Sequence, residues 1–154
     1  MRQYPDLIHW FSWYTRVSIE LPIQFEEESE DAQTATAVYA DRQNGDDGAK
    51  MTVRAIGLPV GSGSDAYREL AREVLALAGH RVMTTKVEEI DGWPAITQVL
   101  QARIDDQEIV RHETYAQAEN VVFALIGVAP ISRREQYLPV FDRAADTARL
   151  VLIP

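Results

Sequence analysis

The 154-residue chain contains no cysteine. That absence removes disulfides, thiolate zinc sites, iron–sulfur clusters and cysteine nucleophiles together, and leaves the redox compartment open. Positive charge is scarce as well: 15 Lys and Arg stand against 24 Asp and Glu, for a formal charge of −9 and a pI near 4.8. A chain without a basic footprint is not expected to bind nucleic acid. No apolar run is long enough to cross a bilayer, and no cysteine is present to carry a lipid, so no membrane anchor is expected. The N-terminal stretch MRQYPDLIHWFSWY is broken by Asp6 and His9 and lacks a small-residue cleavage site after it. It does not read as a secretory signal, and a cytoplasmic protein is expected.

What remains is the composition of an ordinary globular protein, 46% hydrophobic and 25% charged, on a length suited to one domain with its own core. The charge is uneven. Residues 1–47 carry ten acids against three arginines, whereas the rest of the chain is nearly balanced. Such an acidic stretch serves as a solvated loop or as a surface for a basic partner.

Residues Thr15–Leu21 alternate apolar and polar, which predicts a half-buried strand ended by Pro22. Glu26–Asp31 is too acidic to pack and is expected to be loop. Thr34–Ala40 and Lys50–Ile56 flank the run Asp41–Gly48, as in a hairpin with a long loop. Tyr67, Leu70, Ala71, Val74, Leu75 and Ala78 recur at helical spacing, with Ser64 or Asp65 as cap and Gly79 as stop. Strands are then expected at Arg81–Ile90 and Trp93–Ile104 around the turn Asp91-Gly92, followed by Glu108–Gln117 and Val121–Val128. The last of these is apolar on both faces, as a central strand would be. Ile96, Leu100 and Ile104 are expected to face the core.

Ser132-Arg133-Arg134-Glu135 has capping-box spacing and predicts a second helix. Its apolar stripe would be Leu138, Phe141, Ala145 and Ala148, with a kink or late start at Pro139. Arg149–Ile153 reads as a short strand or tail. The fold class is therefore α+β: a twisted antiparallel sheet of about six or seven strands, mostly meander, flanked by two helices. Residues 1–14 form an aromatic N-terminal extension, and residues 15–154 form the single domain.

Motif chemistry is thin. His112-Glu113-Thr114-Tyr115-Ala116 opens like a zinc-protease motif but lacks the second His, and in a strand its first two residues point to opposite faces. Asp41, Asn44, Asp46 and Asp47 are hard oxygen donors in one loop, but Gly45, Gly48 and Lys50 fall out of register for calcium, so a solvated hairpin tip is expected. Gly61-Ser62-Gly63-Ser64 before a helix lacks the lysine of a phosphate loop. Glu88-Glu89 and Asp105-Asp106 are adjacent pairs that diverge in strands and turns, and no serine sits in an elbow motif. No catalytic residue, metal or cofactor is expected. Trp93 reads as a packing residue at a hairpin end. The least easily dismissed feature is Trp10, Phe11, Trp13 and Tyr14, four large rings within five residues. They are the candidate partner-binding residues, unless they fold back over an open end of the sheet.

Several segments resemble the PsbP-like superfamily, in particular its small bacterial DcrB-type members. They are VSIELP at Val17–Pro22, KMTVRAIGLP at Lys50–Pro59, EEIDGWPAI at Glu88–Ile96 and YLPVFDRAADTARL at Tyr137–Leu150. The resemblance covers roughly residues 15–150 by order of elements and short apolar signatures. It implies an α/β sandwich around a twisted antiparallel sheet. The family includes a photosystem subunit, a nuclear-import factor that binds a small GTPase, bacterial lipoproteins and chaperones of secreted effectors, without a shared active site. This chain lacks the lipid-acceptor cysteine of the lipoprotein members.

The expected function is that of a non-enzymatic protein-binding module, adaptor or chaperone-like. The alternative is a small-molecule binder or minor enzyme with a pocket between sheet and helix, in which His80 or His112 meets Arg103 or Arg111. A homodimer paired through the aromatic arm is a third option.

Overall fold

The computed structural model describes residues 7–44, 48–77 and 79–151. Ten strands and two helices follow in the order β1 (Leu7–Phe11), β2 (Val17–Pro22), β3 (Phe25–Asp31), β4 (Thr36–Asp41), β5 (Lys50–Gly57), α1 (Ala66–Leu75), β6 (Arg81–Ile90), β7 (Trp93–Ile104), β8 (Gln107–Ala118), β9 (Val121–Pro130), α2 (Arg134–Asp146) and β10 (Arg149–Leu150). Seven strands form an antiparallel sheet in the order β3-β4-β5-β9-β8-β7-β6, and β1-β2-β10 form a second, three-stranded sheet. The large sheet is thus two meanders joined where β5 pairs with β9. Its class is the expected α+β.

The hairpin turn read from sequence at Asp91-Gly92 is present, Asp105-Asp106 forms another between β7 and β8, and each takes the left-handed backbone that such turns need. Asp91 and Gly92 have φ of 53° and 81°, and Asp105 and Asp106 have φ of 50° and 63°. β9 lies in the middle of the sheet and buries both faces. Its odd residues Phe123, Leu125 and Ala129 join Tyr137, Val140, Phe141, Ala144 and Ala145 of α2, together with Val17, Ile19 and Leu21 of β2. Its even residues Val122 and Ala124 join Tyr67 and Ala71 of α1. The architecture is therefore layered: α1 on one face, and α2 with the small sheet on the other.

Four expectations change. Glu26–Asp31 is not loop: with Phe25 it forms edge strand β3, whose only buried residue is Phe25 and whose pairing is interrupted by a bulge at Glu27/Ser29. Exposed charge and a bulge are what a free sheet edge tolerates. The capping box at Ser132 does not form. Ile131–Arg133 make a 3₁₀ turn there, and α2 starts at Arg134 without a side-chain cap, running through Pro139. The stripe of α2 is centred on Tyr137, Val140, Phe141, Ala144 and Ala145, with Leu138 only partly buried. Ile104, expected in the core, is 46% exposed at the end of a hairpin that neither helix covers, and Ile96 is only partly buried.

α1 is also held differently from the sequence reading. Asp65 occupies the cap position but makes no side-chain cap bond. The amide of Tyr67 donates instead to Gln117 Oε1 at 3.2 Å, and Gln117 Nε2 donates to Gly63 O at 3.0 Å. A side chain of β8 thus satisfies one of the amides that an α-helix leaves free. The helix ends at Leu75, before Gly79, which takes φ of 84°. Ala78 lies outside the described residues.

Candidate functional site

A concavity lies on the α2 face, between α2 and the outer strands β6 and β7. It encloses about 420 Å³. The strand register builds its floor in rows: Thr84 opposite Val99 and Val99 opposite His112, then Lys86 opposite Thr97 and Thr97 opposite Thr114. The Thr97 and Thr114 hydroxyls hydrogen-bond at 2.7 Å. The α2 side contributes Leu138, Asp142, Ala145 and Asp146, and β6 adds Met83 and Glu88. His112 is 1% exposed. Its Nε2 lies 2.6 Å from Asp142 Oδ1, while its Nδ1 is buried without a hydrogen-bond partner among the described residues. A carboxylate accepts, so Nε2 carries the donated proton.

Glu113 points the other way, as the strand period requires. Beneath α1 it is fully buried, with Arg111 Nε and Nη2 both 2.7 Å from its Oε2. Its Oε1 accepts from Gln98 Nε2 at 2.9 Å and Tyr115 Oη at 3.2 Å, and Gln98 also donates to Ala71 O of α1. His112 and Arg111, paired in the alternative sequence reading, therefore stand on opposite faces of β8. Arg103 is exposed, and His80 is partly buried with an Nδ1 that has no partner among the described residues. The His112–Asp142 pair went unnoticed in the sequence, because its partners lie thirty residues apart on a strand and a helix.

The aromatic candidates divide. Trp10 turns inward on β1 and packs against Tyr39, with ring centroids 5.5 Å apart. Phe11, Trp13 and Tyr14 stay outside, at 38%, 70% and 49% exposure. They ride on the β1–β2 turn, which buried Ser12 and Thr15 lock from within. Arg16 N donates to Ser12 O at 2.9 Å, Thr15 N to Ser12 Oγ at 3.2 Å, and Val151 N to Arg16 O at 2.8 Å. Phe11 and Trp13 meet edge to face at 5.3 Å, and the Arg16 guanidinium lies 5.5 Å from the Trp13 ring centre. A shallow groove of about 230 Å³ runs beside the turn between Tyr14, Arg16, Phe123 and Val151.

Of the loop donors, Asp41 is not at a solvated tip. It is 3% exposed, accepting from Tyr137 Oη at 2.5 Å and Asn44 Nδ2 at 2.9 Å. Residues 45–47, with Asp46 and Asp47, lie outside the described residues. Trp93 packs against the main core, as expected.

Three buried phenols carry a pH prediction. Burial, followed by the bond to Asp41, pushes Tyr137 up to about 12 from an ordinary 10.0. Burial also raises Tyr39, assisted by Glu27 and Glu30, and Tyr115, assisted by Glu113. A raised phenol pKa means that the fold holds the proton more tightly than the unfolded chain does. Stability is thus fully present below pH 10.0 and is lost as pH rises through about 12. Phenolate absorbance and circular dichroism should change together in that window. Ionisation of these tyrosines at pH 10.0 with the dichroism intact would contradict the burial argument.

No family model and no curated protein sequence matches the chain. Solved structures do. LpqN of Mycobacterium tuberculosis, described as involved in cell envelope biogenesis, superposes with a TM-score of 0.74 at 8% identity over 93% of this chain and 89% of its own. A Pseudomonas aeruginosa protein of unknown function, described as a putative regulator, gives 0.65 at 14% identity over 97% and 99%. The cyanobacterial PsbP protein CyanoP from Synechocystis gives 0.65 at 12% identity over 95% and 93%. No helix among the described residues is long and apolar enough to cross a membrane. At these identities the likeness speaks for the architecture alone, and the architecture is the PsbP-like fold.

Proposed function

We propose that the chain is a non-enzymatic protein-binding module, adaptor or chaperone-like, that meets its partner with the turn bearing Phe11, Trp13 and Tyr14. The observation that carries this reading is that three large rings stand in solvent on a backbone held from inside by Ser12 and Thr15. Exposed aromatics on a rigid frame lose little entropy on binding, and Trp, Tyr and Arg are enriched where interfaces gain most of their energy. Arg16 adds a second cue. It sits at φ 62°, a conformation that costs a non-glycine residue about 1 kcal/mol. That conformation accompanies the stacking of its guanidinium on Trp13. The proposed compartment is the cytoplasm, and fractionation that puts the chain in the envelope would overturn that part.

The test is cross-linked capture from the source cell by wild type and by the variant Phe11→Ala/Trp13→Ala/Tyr14→Ala. Trp10 is left in place because it packs against the core. The variant should melt within about 0.5 kcal/mol of wild type, as expected of surface changes, and lose the partner. Equal capture of the same partner by the folded variant would refute the reading. Light scattering on both proteins separates a foreign partner from a second copy, since a homodimer through this turn would fall to monomer in the variant.

A further inference from the structure

From the free edge of the large sheet, we infer that the protein associates with a second copy of itself. Two β6 strands pair antiparallel about a two-fold axis at Val87, so that one sheet runs through both protomers. This contact is separate from the aromatic turn and does not depend on it.

β6 ends the strand order and pairs with β7 alone among the described residues. Alternate amides and carbonyls of such a strand point outward, a template for another strand. The opposite edge is closed to a copy. Glu26, Glu27, Glu28 and Asp31 line the exposed surface of β3, where a second β3 would set acid against acid, and a bulge at Glu27/Ser29 breaks it midway. β6 differs on both counts. Its bulge, between Val82 and Thr84, lies near its start and leaves the seven residues Thr84–Ile90 in unbroken register with β7. Charges of both signs stand on this stretch, Lys86 against Glu88 and Glu89, around a Val87 that is 64% exposed.

The register follows from symmetry. In an antiparallel pair related by a two-fold axis, one residue faces its own copy and every other contact is reciprocal. A pairing that uses the whole of Thr84–Ile90 is centred on Val87, its middle residue. Val87 then meets the partner's Val87, and Lys86 meets the partner's Glu88. Thr85 meets the partner's Glu89. Lys86 and Glu88 share the α2 face, already 3.9 Å apart on their own strand, so the dimer closes a ring of alternating charge. On the α1 face the two valines cover each other beside Leu75 and Ile96, and the partner's Glu89 is brought to the groove that Thr85 shares with Arg68 and Arg72. Moving the axis by one residue either way would set Lys86 or Glu88 directly against itself, which is destabilising. Backbone bonds and the valine contact supply the attraction, and the charges select the register. A single strand pair makes a small interface, so the dimer is reversible and concentration-dependent.

Light scattering on the full chain, up to submillimolar concentration, tests this. The mass should rise from 17.4 kDa toward twice that value. Lys86→Glu turns both reciprocal ion pairs into like-charge pairs and should weaken the dimer about tenfold, and Glu88→Lys should do the same. The swap Lys86→Glu/Glu88→Lys restores opposite charges and should restore the dimer. Salt should strengthen association of the single variants, because it screens their repulsion. Since the chain has no cysteine, Val87→Cys carries one thiol, placed at the axis, and should oxidise to a covalent dimer. Val82→Cys should not, because its two copies would stand roughly 30 Å apart. Phe11→Ala/Trp13→Ala/Tyr14→Ala should dimerise like wild type. A monomer at every concentration, a dimer indifferent to Lys86→Glu, or equal cross-linking at both cysteine positions would overturn the inference.

Discussion

Gly127→Ala is expected to destabilise the protein by about 3 kcal/mol, the upper part of the range for overpacking a core. Gly127 lies on β9 directly opposite His112, on the face that receives α2. A Cβ at this position would fall 2.6 Å from Phe141 Cδ2 and closer still to two other ring atoms. Phe141 cannot yield easily. It is fully buried, stacked on Tyr137 with 18° between the planes, and 6.3 Å from it centre to centre. The added methyl therefore has to lift α2. That would also pull Asp142, the next residue, away from His112 and widen the cleft. Urea unfolding measures the loss, and the paired variant Gly127→Ala/Phe141→Leu should recover part of it, with a coupling above about 1 kcal/mol. A single variant as stable as wild type would show that the helix has slack here and that the glycine is not what seats it.

That glycine marks the boundary of what the sequence discloses. Turns were legible because Asp91-Gly92 and Asp105-Asp106 carry their own backbone preference, whatever surrounds them. The central strand was legible because β9 is apolar on both faces. The acidic strand β3 was not, since an edge strand buries little and its alternation is one of charge with charge. β1 was hidden inside an aromatic run that shows no clean period of two, and with it the pairing that sets β2 and β10 in a sheet of their own. The capping box at Ser132 fails because a 3₁₀ turn over Ile131–Arg133 takes its place.

The candidate sites divide along the same line. Crowding of rings at residues 10–14 is a local property and could be seen at once. That Trp10 alone turns inward required the pairing of β1 with β2, which sets its neighbour Ile19 and places Trp10 against Tyr39. The cleft is wholly non-local. A lone His in a strand and an Asp in a helix say nothing about each other until α2 is seated, and Gln117 gives no sign that it will satisfy a helix amide fifty residues away. One signal was available: His112 and Glu113 are polar residues in the middle of a strand, between Ile109-Val110 and Tyr115-Ala116, and groups buried there must find partners. Both do, on opposite faces.

Arg111→Met should cost about 3–5 kcal/mol, because it leaves Glu113 buried with its charge unmatched. The Arg111 side chain is 21% exposed, yet it places two nitrogens 2.7 Å from the same carboxylate oxygen. Exposed pairs such as Lys50–Glu28 and Arg42–Glu26 are a useful contrast, with lysine and arginine side chains 59% and 50% exposed. Breaking either should cost well under about 1 kcal/mol. The Arg111 effect also has a structural address. Gln98 links Glu113 to the carbonyl of Ala71, so a disturbed carboxylate loosens α1, and amide exchange should quicken over Ala66–Leu75 before it does in α2. Adding Glu113→Gln to Arg111→Met removes the stranded charge while keeping an acceptor for Gln98 and Tyr115, and should restore most of the loss. A double variant no more stable than the single one would mean that the arginine matters for its packing, not for its charge. In that case the pair would be a spacer beneath α1 and not an electrostatic tie.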